Sequence, residues 1–149
     1  MAAADGVLFA CPEYNGSVSG PLKNAIDWAS RSPNVWDMKP VAIMGAGGGG
    51  GTSKAQMHLR DIALVVNALV LNKSVQVQAR YPITYITTVL AVRVACLHAL
   101  SLRLSVVAQA FTPGNCDLAT GELSSPEARK RVADLVAALA AWVTRLAPK

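Results

Sequence analysis

Residues 6–30 read GVLFACPEYNGSVSGPLKNAIDWAS, in which an apolar run, a turn and a helix follow one another. The run Gly6–Cys11 is apolar and has no period of 3.6, as is typical of a buried strand in a parallel sheet. Turn-forming residues follow over Pro12–Gly16, which we call the tyrosine loop. Pro21 then stands at the first position of a predicted helix, where its missing N–H costs nothing.

The order of strand, loop and helix is repeated further along the chain. Lys39–Gly45 (KPVAIMG) predicts a second strand and leads into the glycine loop, Gly45–Gly51. After the next helix, Val70–Leu71 and Val75–Gln78 predict a third strand. The apolar positions expected to bury that helix have a rough helical spacing: Ala55, Met57, Leu59, Ile62, Leu64, Val65 and Leu69. This alternation of strands and helices predicts an α/β domain with a parallel sheet.

The C-terminal segment predicts a long amphipathic helix. Pro126 and Glu127 suit its first turn, because the helix dipole favours an acid there. Its apolar positions are three or four residues apart: Val132, Leu135, Val136, Leu139, Trp142, Val143 and Leu146. We expect this face to pack on the sheet.

Residues 80–109 differ in character from the rest. They carry three arginines and no acidic residue, and 81–102 approaches membrane-spanning length. A membrane helix is the less favoured alternative, because an arginine such as Arg93 at its centre costs about 2.5 to 3.5 kcal/mol on insertion. We therefore expect no membrane partner.

Composition and charge exclude several classes of protein. Of 149 residues, 52% are hydrophobic and 15% are charged, which excludes a disordered chain. The net charge of +5 does not indicate a nucleic-acid partner, because the basic cluster Arg129–Arg131 lies on the last helix without interleaved aromatic residues. Three cysteines and two histidines show no metal-ligand spacing, so no metal site is predicted. The first residues lack a secretory signal pattern, and a cytoplasmic location is expected.

Both loops follow predicted parallel strands, at the sheet edge where ligands bind in open α/β folds. In the tyrosine loop, Tyr14 can lie against a planar heterocycle while the backbone offers N–H and C=O groups. The alternative is an ordinary turn. The glycine loop satisfies GxGxxG only trivially and is no Walker A motif. It indicates either a backbone that approaches something closely at a helix start or a flexible linker.

No side-chain catalytic group is predicted. Neither His58 nor His98 has an evident nucleophile or carboxylate partner, and His58 is interpreted as structural. Any chemistry would therefore be carried by a bound cofactor.

Several blocks resemble one known family. They include PEYN at 12–15, GPLKNAIDWASR at 20–31, KPVAI at 39–43 with the glycine loop, and AQMHLR at 55–60. Further matching blocks are NCD at 115–117 and TGEL at 120–123. Together they resemble the NADPH-dependent FMN reductase family, which includes plant and bacterial NAD(P)H:quinone reductases. The resemblance covers roughly 6–79 and 110–146.

The resemblance implies an α/β, flavodoxin-like fold with a three-layer parallel sheet that binds FMN. It implies an oxidoreductase, a flavoprotein that transfers hydride from NADPH or NADH to a quinone or flavin acceptor, and a dimer or tetramer. By the same resemblance, one group of residues lines the isoalloxazine: Pro12, Glu13, Tyr14 and Asn15. A second group lies near the pyrimidine end of the ring: Gly45, Gly47, Gly48 and Gly51.

The chain departs from the family pattern in two places. Family members begin with a strand and a phosphate-gripping loop, whereas this chain begins at the match to the third strand. The domain, 1–149, is therefore expected to be partial and incomplete at the N-terminus, with an exposed sheet edge. Residues 80–109 form an atypical insertion, either from altered transcript processing or as a helix or strand that replaces a missing one. The alternative function is a catalytically inactive fragment or isoform that cannot hold FMN and at most associates with intact homologues.

Overall fold

The computed structural model describes residues 1–47, 50–78, 87–88, 104–108, 110–111 and 126–147. The strands are β1 (Gly6–Ala10), β2 (Pro40–Gly47), β3 (Leu69–Gln78), β4 (Thr87–Thr88), β5 (Leu104–Ala108) and β6 (Ala110–Phe111). The helices are α1 (Gly20–Ala29), α2 (Ser53–Val65) and α3 (Pro126–Leu146). The predicted α/β alternation is confirmed.

The main sheet has four described strands in the order β3-β2-β1-β5, all parallel. A flavodoxin-like sheet has the order 2-1-3-4-5. Here β1, β2 and β3 take the places of the third, fourth and fifth strands, and β5 takes the place of the first. The flavodoxin-like fold class is confirmed.

The edge of β1 that we expected to be exposed is covered, so that expectation is wrong. Strand β5 pairs with β1 along its whole length, from Gly6 opposite Leu104 to Ala10 opposite Ala108. The covering strand comes from within residues 80–109, the segment interpreted from the sequence as an insertion. Most of that insertion, including 81–102 apart from 87–88, lies outside the described residues.

A second, two-stranded sheet follows the main one. Phe111 belongs to its strand β6, which pairs antiparallel with β4.

Alternate side chains of β1 enter two cores on opposite faces of the sheet, as the period of 2 in a strand requires. Val7 and Phe9 pack with buried residues of α1 and α2, including Ile26 and Leu59. Leu8 packs with α3 on the other face. The three layers are therefore α1 and α2, the sheet, and α3.

The connection after α1 is anchored by Trp36, which is fully buried. Its ring lies 5.4 Å from that of Phe9, centroid to centroid, and its Nε1–H donates to the carbonyl of Ile26 at 2.9 Å. This indole ties the end of α1 to β1 before the chain enters β2.

The buried face of α2 agrees with the prediction at Ala55 and Leu59 and differs from it at other positions. Met57, Leu64 and Val65 are exposed, whereas the buried set is Ala55, Gln56, Leu59 and Ala63. Because each residue turns a helix by about 100°, Met57 lies about 200° from Leu59, on the opposite side. Leu69, which was also assigned to this helix face, begins β3 instead.

The third strand was predicted in two pieces and is one strand with an irregularity. Its register on β2 shifts between Val41, opposite Val70, and Ile43, opposite Ser74. Arg60 of α2 donates to the carbonyl of Asn72 at 3.0 Å within the irregular stretch.

Helix α3 buries the face that its sequence pattern predicted. Val132, Leu135, Val136, Leu139 and Val143 are buried, although Leu146 at its end is exposed. No helix among the described residues has both the length and the hydropathy needed to cross a bilayer.

Candidate functional site

The tyrosine and glycine loops meet at one edge of the sheet. They follow β1 and β2, which are adjacent and parallel, with Ala10 opposite Met44 in the last register pair. The amide of Cys11 still donates to the carbonyl of Met44 at 3.0 Å, so the tyrosine loop begins directly beside the glycine loop. This is the edge at which ligands bind in open α/β sheets.

The tyrosine loop is a closed reverse turn. Tyr14 and Ser17 exchange two backbone hydrogen bonds of 3.0 Å around Asn15 and Gly16. Asn15 and Gly16 have φ of 50° and 74°, and two positive φ values are what a type I′ turn requires. Pro12 is buried, Tyr14 is half-buried and Asn15 is exposed. The loop therefore presents a defined backbone and a partly accessible aromatic ring.

The glycine loop owes its path to close contacts within the chain. A Cβ at Gly45 would collide with the side chain of Thr52 and with the carbonyl oxygen of Cys11, and one at Gly47 would collide with the carbonyl oxygen of Gly51. Gly51 itself has a φ of +62°. The flexible-linker interpretation fails at these positions, because they are packed. The close approach that they allow is between chain segments, and Gly48 lies outside the described residues.

Thr52 and Gln56 tie the end of the glycine loop to β3. Both are buried, and the Gln56 Nε2–H group donates to Thr52 Oγ1 and to the carbonyl of Val75, each at 2.9 Å. Within the described part of the chain, Gln56 Oε1 is buried without a hydrogen-bond partner. The burial of Gln56 is not predictable from the sequence, since a Gln within a helical pattern is ordinarily exposed.

Glu13 connects the tyrosine loop to α2. Its Oε2 accepts a hydrogen bond of 3.1 Å from the backbone amide of Ala55, in the first turn of the helix. The partial positive charge of a helix N-terminus favours a carboxylate at this place.

Ser17 and His58 form a second link between the same elements. Ser17 Oγ and His58 Nδ1 lie 2.9 Å apart. His58 is exposed, and this bond gives a local reason for its structural interpretation. An open cavity of about 480 Å³ adjoins the pair between α1 and α2, and Lys23, Asp61 and Ile62 also line it. The cavity is therefore beside the tyrosine loop but is not lined by the glycine loop.

The buried Cys11 is not set up as a nucleophile. Its Sγ donates to the carbonyl of Pro12 at 3.1 Å, and burial raises the pKa of the thiol more than hydrogen bonding with Ser19 lowers it. A neutral thiol is a poor nucleophile. No cluster of three metal-ligating side chains is found among the described residues.

This edge carries groups of the kind that recognise a planar heterocycle through backbone contacts. The turn at Asn15–Gly16 is held by paired hydrogen bonds, and Tyr14 beside it is half-buried. The aliphatic chain of Lys54 lies against Gly16, which brings a cation to this edge. Ordered backbone, an aromatic ring and a cation can bind an electron-poor heterocycle that gains negative charge on reduction.

Comparison with known proteins supports one family. The family model for NADPH-dependent FMN reductases matches residues 1–81. An NADPH:quinone oxidoreductase from Arabidopsis thaliana is 59% identical over 70 residues, covering 47% of this chain and 36% of that protein. An NAD(P)H-dependent FMN reductase from Pseudomonas aeruginosa is 55% identical over 73 residues, covering 48% of this chain and 40% of that protein.

A solved structure extends the similarity beyond that segment. The FerB flavoenzyme from Paracoccus denitrificans, an NAD(P)H:(acceptor) oxidoreductase, aligns with a TM-score of 0.61 at 26% identity. The alignment covers 97% of this chain and 63% of FerB. In the sequence matches above, the matched part of the chain spans well under half the length of the curated relatives.

Proposed function

Because the chain belongs to the NADPH-dependent FMN reductase family, we propose that it works as an FMN-dependent oxidoreductase. The reaction is hydride transfer from NADPH or NADH to a quinone or flavin acceptor. FMN, when bound, supplies the isoalloxazine that takes hydride from the nicotinamide and passes electrons on. The observation that carries the proposal is the ordered tyrosine loop, placed beside the packed glycine loop at one sheet edge.

The two loops have different roles in this proposal. Pro12, Glu13, Tyr14 and Asn15 line the ring, chiefly through backbone groups, with the half-buried Tyr14 side chain against it. Four glycines are proposed to lie near the pyrimidine end of the flavin ring: Gly45, Gly47, Gly48 and Gly51. Because a side chain at Gly45 or Gly47 would collide with the chain itself, these two glycines set the path of the loop beside the ring.

The names of the relatives support a quinone or a flavin as acceptor. The Arabidopsis relative is an NADPH:quinone oxidoreductase and the Pseudomonas relative is an FMN reductase. Oxidation of NADPH and of NADH, followed with benzoquinone or with free FMN, would distinguish these substrates.

We also propose a homo-oligomer, a dimer or tetramer, in the cytoplasm. Trp28, Leu64 and Val65 are 79%, 80% and 85% exposed on the helices that cover one face of the sheet. Exposed apolar side chains of this size on one layer favour burial against a second copy. Light scattering of the purified protein measures the copy number. Residues 1–149 are treated as one partial domain with 80–109 as an insertion.

The decisive test is a flavin titration. We expect purified protein to be yellow, or to quench the fluorescence of added FMN to a saturable end point. Tyr14→Ala should weaken FMN binding by about tenfold, because stacking on an aromatic ring contributes about 1 to 3 kcal/mol in comparable sites. Tyr14→Phe is the matched control and should bind within about twofold of the parent, since it retains the ring.

A colourless protein that does not quench FMN would contradict the proposal. That result would leave the non-catalytic fragment as the function to pursue, with association to an intact homologue as its measurement. If the parent and Tyr14→Ala bind FMN with equal affinity, FMN binding is supported, but Tyr14 does not contact the flavin.

A further inference from the structure

We propose that the carboxylate of Glu13 is a positioning group that couples the tyrosine loop to helix α2. The inference rests on the proposed function only in its last step, where the coupled loop meets FMN. In this proposal the backbone and the side chain of Glu13 have different roles. The backbone faces the ring, and the side chain extends away from the ring to the helix.

Helix α2 lacks a cap of its own. Thr52 occupies the N-cap position, yet its side chain makes no capping hydrogen bond within the part of the chain that is described. The first turn carries no acidic residue. A helix start of this kind has unsatisfied amides and a partial positive charge. A group from outside the helix satisfies one of these amides, because the Ala55 N–H donates to the Glu13 carboxylate at 3.1 Å.

The contact joins parts of the chain that are far apart in sequence. Glu13 and Ala55 are separated by 42 residues, so their bond orders a long-range pairing. A conventional cap from Thr52 would have ordered only the helix. Because Glu13 caps the helix instead, the bond that satisfies the Ala55 amide also fixes the residue next to Tyr14.

Two further contacts show that the loop is held along its length. At its entry, the Cys11 amide donates to the Met44 carbonyl at 3.0 Å, and at its exit Ser17 Oγ lies 2.9 Å from His58 Nδ1. The bond from Glu13 lies between these two. Both side-chain links end on the first two turns of α2, so the tyrosine loop and the start of α2 form one unit.

The coupling has a consequence for the ligand. An apo loop that is already ordered loses less conformational freedom when it binds, which preserves affinity. Loss of the Glu13 carboxylate should therefore loosen the loop and weaken FMN binding. It should leave the reduction potential of bound FMN unchanged, because the charge is engaged with the helix.

The test compares Glu13→Ala with Glu13→Gln, whose amide oxygen can still accept the bond. Native-state hydrogen exchange of the apo protein is measured at the amides of Ala55, Tyr14 and Ser17. The usual strength of a cap predicts that Glu13→Ala accelerates exchange at all three by about 2- to 30-fold. Glu13→Gln should have a clearly smaller effect. The control is Glu127→Ala, the same change in the first turn of α3, which should leave these three amides unaffected.

The remaining readouts are the dissociation constant and the midpoint potential of FMN. Glu13→Ala should weaken FMN binding by the same factor of about 2 to 30, with an unchanged potential in both variants. Rescue of affinity in Glu13→Gln supports positioning. A shift of the potential in Glu13→Gln would overturn it, since the carboxylate would then act on the flavin directly.

Exchange rates at Ala55, Tyr14 and Ser17 equal to those of the parent would also overturn the proposal. Faster exchange at Ala55 alone would show a cap that does not position the loop, and would likewise overturn it. If the parent binds no FMN while the exchange pattern is as expected, the proposed function fails and the coupling of loop to helix stands. Glu13→Gln keeps the test open if Glu13→Ala does not fold.

Discussion

The tyrosine loop and the glycine loop stand side by side at the same sheet edge, and each leads from a parallel strand into a helix. The tyrosine loop owes its order to hydrogen bonds, with the Tyr14–Ser17 pair inside it and Glu13 reaching across to Ala55. The glycine loop is shaped by the absence of side chains, because Gly45 leaves room for Thr52 and for the Cys11 carbonyl.

This difference predicts how the two loops respond to mutation. A loop held by hydrogen bonds loses one bond at a time, and each loss is modest. A loop held by steric fit cannot accept even a methyl group where backbone is in the way. The largest effects are therefore expected in the glycine loop and the smaller ones in the tyrosine loop.

The largest effect is expected at Gly45. In Gly45→Ala the new Cβ would overlap Thr52 and the backbone carbonyl of Cys11, and the carbonyl cannot rotate away. We expect the free energy of unfolding to fall by about 3 kcal/mol, the upper part of the range for overpacking. Urea denaturation measures it.

Gly50→Ala is the matched control for Gly45→Ala in the same loop. A Cβ at Gly50 meets no described atom within 4 Å, so its effect should be near zero. Equal stability of the two variants would show that the glycine loop is not sterically determined.

An intermediate effect is expected at Gly16 in the tyrosine loop. Its φ of +74° lies in the left-handed region, where an L-residue costs about 1 to 2 kcal/mol. Gly16→Ala should lower the free energy of unfolding by about that amount. The nearby Lys54 Cδ adds little to the cost because that side chain is flexible.

Asn15→Gly provides the comparison for Gly16→Ala, because glycine accepts the positive φ at position 15. It should change stability by less than about 0.5 kcal/mol. A neutral Gly16→Ala would mean that the turn adopts another form in solution.

The smallest effect is expected at Cys11, which directly precedes the tyrosine loop and whose carbonyl packs against Gly45. Burial raises the pKa of its thiol above the ordinary 9.0, so the folded state holds the proton more tightly than the unfolded state. The stability contributed by the neutral thiol is fully present below the unfolded pKa and is lost as pH rises through the folded pKa. Free energies of unfolding at about pH 7 and about pH 10 measure the loss, which should be smaller in Cys11→Ala. An identical alkaline loss in Cys11→Ala would assign it to other groups.

Much of the fold follows from local pattern. The apolar run at Gly6–Cys11, the helix start at Pro21 and the spacing in 126–146 each depend on residues close in sequence. The first strand and the first helix are confirmed to within one residue at these ends, and the last helix is confirmed as well. The exposed side of α2 was not predictable in the same way. Met57 and Leu64 are apolar, yet the helix packs through Ala55, Leu59 and Ala63, and the choice between faces depends on the sheet beneath.

In the candidate site, too, some features follow from local sequence and others only from the tertiary structure. The sequence was sufficient to place a turn at Pro12–Gly16, because proline and glycine carry turn preferences in their own backbones. At Gly45–Gly51 it left two alternatives, a close backbone approach or a flexible linker, and the packing of Gly45 and Gly47 decided between them. The lining of a flavin ring by these residues stays a prediction.

Only the tertiary structure decided what the two loops contact. The Glu13–Ala55 bond spans 42 positions, and β5 covers β1 from almost a hundred residues away in the chain. Pairings of this kind depend on which segments the sheet order brings together, and no local preference encodes them. Residue types thus determined where this chain turns and where it is apolar, whereas folding determined that a loop carboxylate completes a distant helix.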